Sequence, residues 1–264
     1  MKTASAVLCL LLSFAVLATR ATESSIFLEN LTTPELQSAI AAGKSTAIIP
    51  IGGTEQNGPH MALGKHNARV KVLSERIAGD LGNAIVAPVL AYVPEGSIDP
   101  PSEHMRFAGT ITVGEEAFEK LLESAARSLR RSGFRDIVLL GDHGGYQRNL
   151  RRVADRLNRE WARTPARVHA IPEYYATVEK EYPALLEQKG HSLSEIGTHA
   201  GLADTSLTLA LAPGMVRTDH LRDEAGVKAG VAGDPSRSTA ELGKAGADLI
   251  VANTVAAIRK ATRR

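Results

Sequence analysis

The chain has 264 residues, of which 31 are basic and 29 acidic, and 44% are apolar. That length suits one compact α/β domain with a full core. The near-balance of charge excludes the basic footprint of a nucleic-acid binder and the polybasic segment of a membrane-surface anchor.

In chain order, the first element is a targeting segment. Lys2 supplies a charged start, residues 6–17 form an apolar run too short to span a bilayer comfortably, and Ala18-Thr19-Arg20-Ala21 offers small residues for cleavage. This predicts a secretory signal over residues 1–21, a single domain over 22–264, and a periplasmic or secreted location. Removal of Lys2 and Arg20 leaves 29 basic against 29 acidic side chains. The single cysteine, Cys9, lies in the signal, so the exported chain has no disulfide and no thiolate ligand. Any metal must rest on His, Asp, Glu or weaker oxygen donors. No later apolar stretch is long enough to cross a membrane.

Thr33-Pro34-Glu35 opens a short capped helix. A strand is predicted over 46–51, a helix over 67–81 with Val70, Leu73 and Ile77 on one face, and a strand over 84–89. A loop over 94–101 follows. Then come an amphipathic helix over 115–131, a strand over 137–140, a helix over 147–161 and a strand over 167–171. Residues 172–190, with Tyr174, Tyr175 and Tyr182, read as a lid or an irregular helical excursion. His199 to Ser206 precede a helix ending near Ala212, and a last helix covers 238–263. Alternating strands and helices predict a mainly parallel sheet covered on both faces.

Two strand ends carry the chemistry. The first strand empties into Gly52-Gly53-Thr54-Glu55-Gln56-Asn57-Gly58-Pro59-His60, with His66 close behind. The 137–140 strand empties into Gly141-Asp142-His143-Gly144-Gly145. Open α/β sheets place their sites at such carboxyl ends, so the two segments predict a shared metal centre. The individual readings stay double. Glu55 is a ligand or a solvated loop residue, His143 a ligand or a helix cap, and His66 a ligand or an exposed residue at a helix start. Asn57 is a ligand or a turn residue. His60 ligates, supports a ligand or packs, and Asp142 is a carboxylate partner for His143 or His66.

Four segments in this order resemble the creatininase family of metal-dependent amidohydrolases, over most of the chain. They are Gly53 to His60, Ser102-Glu103-His104 with Phe107 to Ile111, Asp142 to Gly145, and His199-Ala200-Gly201 with Asp204-Thr205-Ser206. The resemblance implies a three-layer α/β/α sandwich, a homo-oligomer (often a hexamer), and two zinc or manganese ions at the strand ends. In the family's pattern the positions of Glu55, Asn57 and His66 hold Glu, His and a metal-bridging Asp, and the position of Asp204 holds Glu. A carboxylate can bridge two cations, whereas a neutral imidazole binds one through one nitrogen. With His66 in the bridging position, the expectation is one ion per chain, zinc ahead of manganese. Its ligands are Glu55, His66 and His143, with Asn57 and Asp204 as further donors. The resemblance further implies His199 as a proton shuttle and Asp204 as a residue holding the metal or its water. It implies Ser102, Glu103, His104 and Tyr174 as the substrate-binding wall.

The function expected is hydrolysis of a non-peptide C–N bond in a small amide, cyclic amides included, by metal-activated water. The alternatives are a peptidase or deformylase-type hydrolase on the same fold, or a degenerate ligand-binding protein. Metal stoichiometry separates the last from the others.

Overall fold

The computed structural model describes residues 25–223 and 230–263. The expected signal over 1–21 and Cys9 lie outside the described residues. The chain builds α1 (Thr33–Ala41), β1 (Thr46–Ile51), α2 (Lys65–Leu81), β2 (Ala84–Val86), α3 (Glu115–Ser132), β3 (Asp136–Gly141), α4 (Gln147–Glu160) and β4 (Arg167–Ala170). Then follow α5 (Pro172–Ala176), a π turn (Thr177–Glu181), α6 (Tyr182–Gln188), α7 (Leu193–Ile196), α8 (Leu202–Leu211) and α9 (Ala240–Ala261). The four strands run parallel in the order β2-β1-β3-β4.

Alternation along the strands explains the three layers. Ala47, Ile49 and Ile51 of β1, with Ile137 and Leu139 of β3, point to one face and meet Phe118 and Leu122 of α3 and Leu150, Val153 and Leu157 of α4. Ile48, Val138 and Leu140 point to the other face, against Val70, Leu73 and Ile77 of α2 and Ile250 and Val251 of α9. Every residue of β1 and β3 is buried, which is why both strands read as continuous apolar runs. The three-layer sandwich expected from the sequence is the observed architecture.

Most boundaries shift by a residue or two, and three of the differences bear on the site or its sheet. β2 stops at Val86 because Pro88 has no N–H to give, although Ala87 N still bonds Ile48 O (2.8 Å) and Leu90 N bonds Pro50 O (2.9 Å). α2 begins two residues early, at Lys65, which brings Lys65 and His66 into its first turn. α8 begins at Leu202, so Asp204 sits inside its first turn rather than ahead of it. The 172–190 segment is the irregular helical excursion, broken by its π turn.

Close packing of α8 and α9 helps seat that first turn. At Gly243 of α9 a Cβ would stand 1.8 Å from Ser206 O of α8, so only glycine permits the approach.

Candidate metal centre

The site forms where β1 and β3 end beside the N-terminal turn of α2. Gly52 and Gly53 turn the chain away from β1, and Gly53 N donates to Asn67 Oδ1 of α2 at 3.0 Å. Gly53 has φ +155 and a Cβ there would meet Glu95 Oε1 at 2.5 Å, so the loop passes where a side chain cannot follow. The result delivers Glu55 into the interior with 0% exposure.

Four imidazoles ring the Glu55 carboxylate. His66 Nε2 lies 2.7 Å from Oε1 and His199 Nδ1 3.7 Å from it. His104 Nε2 lies 3.2 Å from Oε2 and His143 Nε2 3.6 Å from it. Two sets of three potential ligands share this carboxylate: Glu55, His66 and His143, and Glu55, His104 and His199. Burial pushes Glu55 up, but His66, Lys65 and His143 outweigh it and hold the carboxyl well below its ordinary range.

The imidazoles are held in turn. His66 Nδ1 donates to Asp142 Oδ2 at 2.6 Å, which aims Nε2 at Glu55. Asp142 also takes Arg69 Nη2 (2.7 Å) and Tyr174 Oη (2.6 Å). Burial and Lys65 pull His66 down, but Glu55 and Asp142 raise it overall. Burial lowers His143 to about 4, so it is a neutral imidazole near pH 7, as ligation requires. Its Nδ1 accepts from Gly145 N at 3.2 Å and faces Glu95 Oε2 at 3.6 Å. A ligand bond through Nε2 would leave the ring proton on Nδ1, the side that faces Glu95.

His104 and His199 share a different support. Gln56 Nε2 bonds Gly230 O (2.9 Å) and His104 Nδ1 (3.1 Å). His199 Nε2 donates to Gln56 O at 3.0 Å, leaving Nδ1 as the lone pair that faces Glu55. Burial, then Lys65, lowers His199 to about 3.

The sequence expectations sort unevenly. Glu55, His66, His143 and His199 come together. His104, expected in the substrate wall, lines the cavity and also belongs to the ring around Glu55. Asn57 donates Nδ2 to the backbone oxygens of Glu55 (2.8 Å) and Ala62 (3.1 Å), the turn role, and its buried Oδ1 has no hydrogen-bond partner among the described residues. Asp204, expected as a ligand and water holder, is taken up by fixed cations and lies outside both ligand sets. Lys65 Nζ stands 2.8 Å from Oδ2 and Arg69 Nη1 2.7 Å from Oδ1. Burial raises Asp204, but Lys65 and Arg69 outweigh it and hold it well below its ordinary range. Tyr174 is fully buried behind Asp142, so it cannot touch substrate, and Tyr175 faces the cavity in its place. Ser102 Oγ accepts from Ser97 N at 2.8 Å within its own loop, and Glu103 is exposed with φ 46; neither lines the cavity. His60 bonds Thr205 Oγ1 at 3.1 Å and packs.

Sequence reasoning missed Lys65, Arg69, Gln56 and Glu95. For the two cations a signal exists. Residues 65, 69, 73 and 77 recur every four positions, so Lys65 and Arg69 extend the buried stripe of Leu73 and Ile77. Glu95 carries no such signal. It is 3% exposed, and neither carboxylate oxygen has a hydrogen-bond partner among the described residues. Burial and the nearby Glu55 raise it to about 8.

The cluster opens into a cavity of about 560 Å³, walled by Tyr175, Val178, Tyr182 and Pro183 on one side and by Gly197 to His199 on another. An arrangement of buried carboxylate and neutral imidazoles beside a cavity of this size suits metal-assisted hydrolysis of a small molecule.

Comparison with known proteins agrees. The family model "Creatininase: Creatinine amidohydrolase" matches residues 29–258. A "Mycofactocin precursor peptide peptidase" of Mycobacterium tuberculosis is 30% identical over 234 residues, covering 78% of this chain and 82% of that protein. A "Creatinine amidohydrolase" of Pseudomonas putida is 28% identical over 207 residues, covering 75% of this chain and 76% of that protein. The solved structure "Creatininase Mn" superposes with a TM-score of 0.77 at 25% identity, over 91% of this chain and 100% of the other. The chain belongs to the creatininase family of metal-dependent amidohydrolases, hydrolases acting on C–N bonds.

Proposed function

We propose that this protein hydrolyses a small amide, linear or cyclic, with one zinc ion held by Glu55, His66 and His143. The observation that carries the reading is the fully buried Glu55 carboxylate inside its ring of imidazoles. Glu55 Oε2 has no hydrogen-bond partner among the described residues, yet His104 and His143 direct nitrogens at it from 3.2 and 3.6 Å. Ligands of a tetrahedral zinc, at roughly 2.0–2.1 Å from the ion, stand about 3.3 Å from one another. The donor set therefore fits a divalent ion. The Asp142–His66 pair favours the first ligand set, because a carboxylate on the far ring nitrogen fixes the tautomer a ligand needs. Two imidazoles and a carboxylate are also the donors zinc takes in hydrolytic sites.

Bound there, a divalent ion supplies acidification of a water and polarisation of the amide carbonyl. The chain's own groups do the rest. Glu55 and Asp142 stay ionised and hold the imidazoles in register. His199, fixed through Nε2 on Gln56 O, presents Nδ1 on the Glu55 side of the site, where it would take the proton the attacking water releases and pass it to the leaving nitrogen. Val178, Tyr182 and Pro183 give the cavity an apolar wall that sheds water from the amide.

The signal-like residues 1–21 support an exported enzyme, periplasmic or secreted, with residues 22–264 as its single domain. The family resemblance supports a homo-oligomer, a hexamer. A peptidase is the second reading, favoured by the 30% identity to the mycobacterial peptide peptidase. The test is a panel of cyclic amides, linear amides and short peptides, assayed for released amine before and after chelation and zinc return. Turnover of a small amide, abolished in His143→Ala, supports the reading. Turnover of peptides alone moves the assignment to a peptidase. No zinc-dependent turnover of any member refutes the small-amide reading.

A further inference from the structure

The carboxylate that a second metal ion beside Asp204 would need is already satisfied by the protein's own cations. Asp204 has both oxygens committed: Oδ2 to Lys65 Nζ (2.8 Å) and to Ala200 N (2.9 Å), and Oδ1 to Arg69 Nη1 (2.7 Å). Lys65 Nζ also stands 3.6 Å from Glu55 Oε1, and its side chain is 0% exposed. The ammonium therefore links the Glu55 and Asp204 carboxylates. Asn57 commits its Nδ2 to backbone carbonyls, while its Oδ1 is buried without a hydrogen-bond partner among the described residues. The donor set does not fit a second ion beside Asp204, and an ion in the other set, Glu55, His104 and His199, would share the Glu55 carboxylate that Lys65 Nζ already approaches to 3.6 Å.

We propose that the Lys65 ammonium is a permanent cation of the active site that takes the place of a second metal ion, with Arg69 holding Asp204 in position to receive it. The inference rests on the metal-hydrolase reading above. Charge balance supports it. Glu55, Asp142 and Asp204 pair with Lys65 and Arg69 in one largely buried cluster, with the buried Glu95 close to Glu55 and Lys65. One divalent ion brings that cluster to within a unit charge of neutrality, whether or not Glu95 is ionised. A second would leave an uncompensated positive excess in a desolvated site, where like charges repel strongly. Lys65 also lines the cavity.

The experiment counts ions in the full chain, stripped with chelator and titrated with zinc alone. Stoichiometry is read by calorimetry and by elemental analysis after gel filtration. The expected result is one ion per chain in the wild type, one in Lys65→Arg, and two in Lys65→Ala, the second weaker. Lys65→Gln, neutral and of similar length, replaces Lys65→Ala if the latter fails to fold, and the same rise to two is expected. Two ions in the wild type, or one ion in the neutral variants, overturns this inference and leaves the hydrolase reading standing. No ion in any of them overturns the hydrolase reading itself.

Discussion

Asp142→Asn removes one charge and almost no volume, and it separates two jobs that Asp142 performs at once. Oδ2 accepts from His66 Nδ1 (2.6 Å), Arg69 Nε (3.1 Å) and Arg69 Nη2 (2.7 Å), while Oδ1 accepts from Tyr174 Oη (2.6 Å). An amide keeps one acceptor and turns a donor toward a donor on the other side. For the metal, losing the carboxylate behind a ligating imidazole costs about 10–100-fold in affinity, or about 1.4–2.8 kcal/mol. For the fold, removing one member of a buried charge pair costs about 3–5 kcal/mol. Arg69 keeps Asp204 at 2.7 Å, so the low end applies, about 3 kcal/mol. At about 2–4 °C per kcal/mol for a domain of this size, the metal-free melting temperature falls by about 6–12 °C. Zinc affinity is measured by competition against a chromophoric chelator, and stability by urea and thermal unfolding of the stripped protein. Zinc affinity within twofold of wild type would refute the view that Asp142 aims His66 at the ion. An unchanged melting temperature would refute the buried network.

Tyr174→Phe deletes a hydrogen bond to a charged group, worth about 1.5–3 kcal/mol, without touching the cavity. Stability should fall by that amount while KM stays unchanged; a rise in KM with stability intact would return Tyr174 to the substrate wall. Glu95 is raised from 4.5 to about 8 by burial and by Glu55. Its contribution to the stability of the stripped protein is therefore fully present below about pH 4.5 and is lost as pH rises through 8. Glu95→Gln, neutral throughout, should flatten that fall. Urea midpoints from pH 5 to 9 that run parallel for the two proteins would contradict the buried, unpaired carboxyl.

Much of the scaffold was legible because its signals are local. β1 and β3 are buried throughout and apolar after their first residues, Thr46 and Asp136, since a parallel strand covered on both faces has no solvent side to mark. α3 and α4 announce themselves by apolar residues at helical spacing over charged faces. Glu55 and His143 follow their strands directly, so the rule that sites gather at carboxyl strand ends placed both. His66 lies one short loop further on, and α2 starts early enough to include it.

What failed to read out depends on partners distant in sequence. Nothing near Asp204 shows that Lys65 and Arg69 occupy it, for those residues lie on another helix. Nothing near Tyr174 shows that it turns inward to Asp142 while Tyr175 takes the cavity. Sequence periodicity by itself determined the order of elements, the parallel sheet and the strand ends at which imidazole and carboxylate collect, because those follow from backbone geometry and burial pattern within each segment. Only the tertiary structure decided which charges meet, that Asn57 is a turn residue, that His104 joins the ring around Glu55, and that an ammonium stands between Glu55 and Asp204. Those outcomes turn on through-space distance and desolvation across packed elements, and neither quantity is carried by a segment alone.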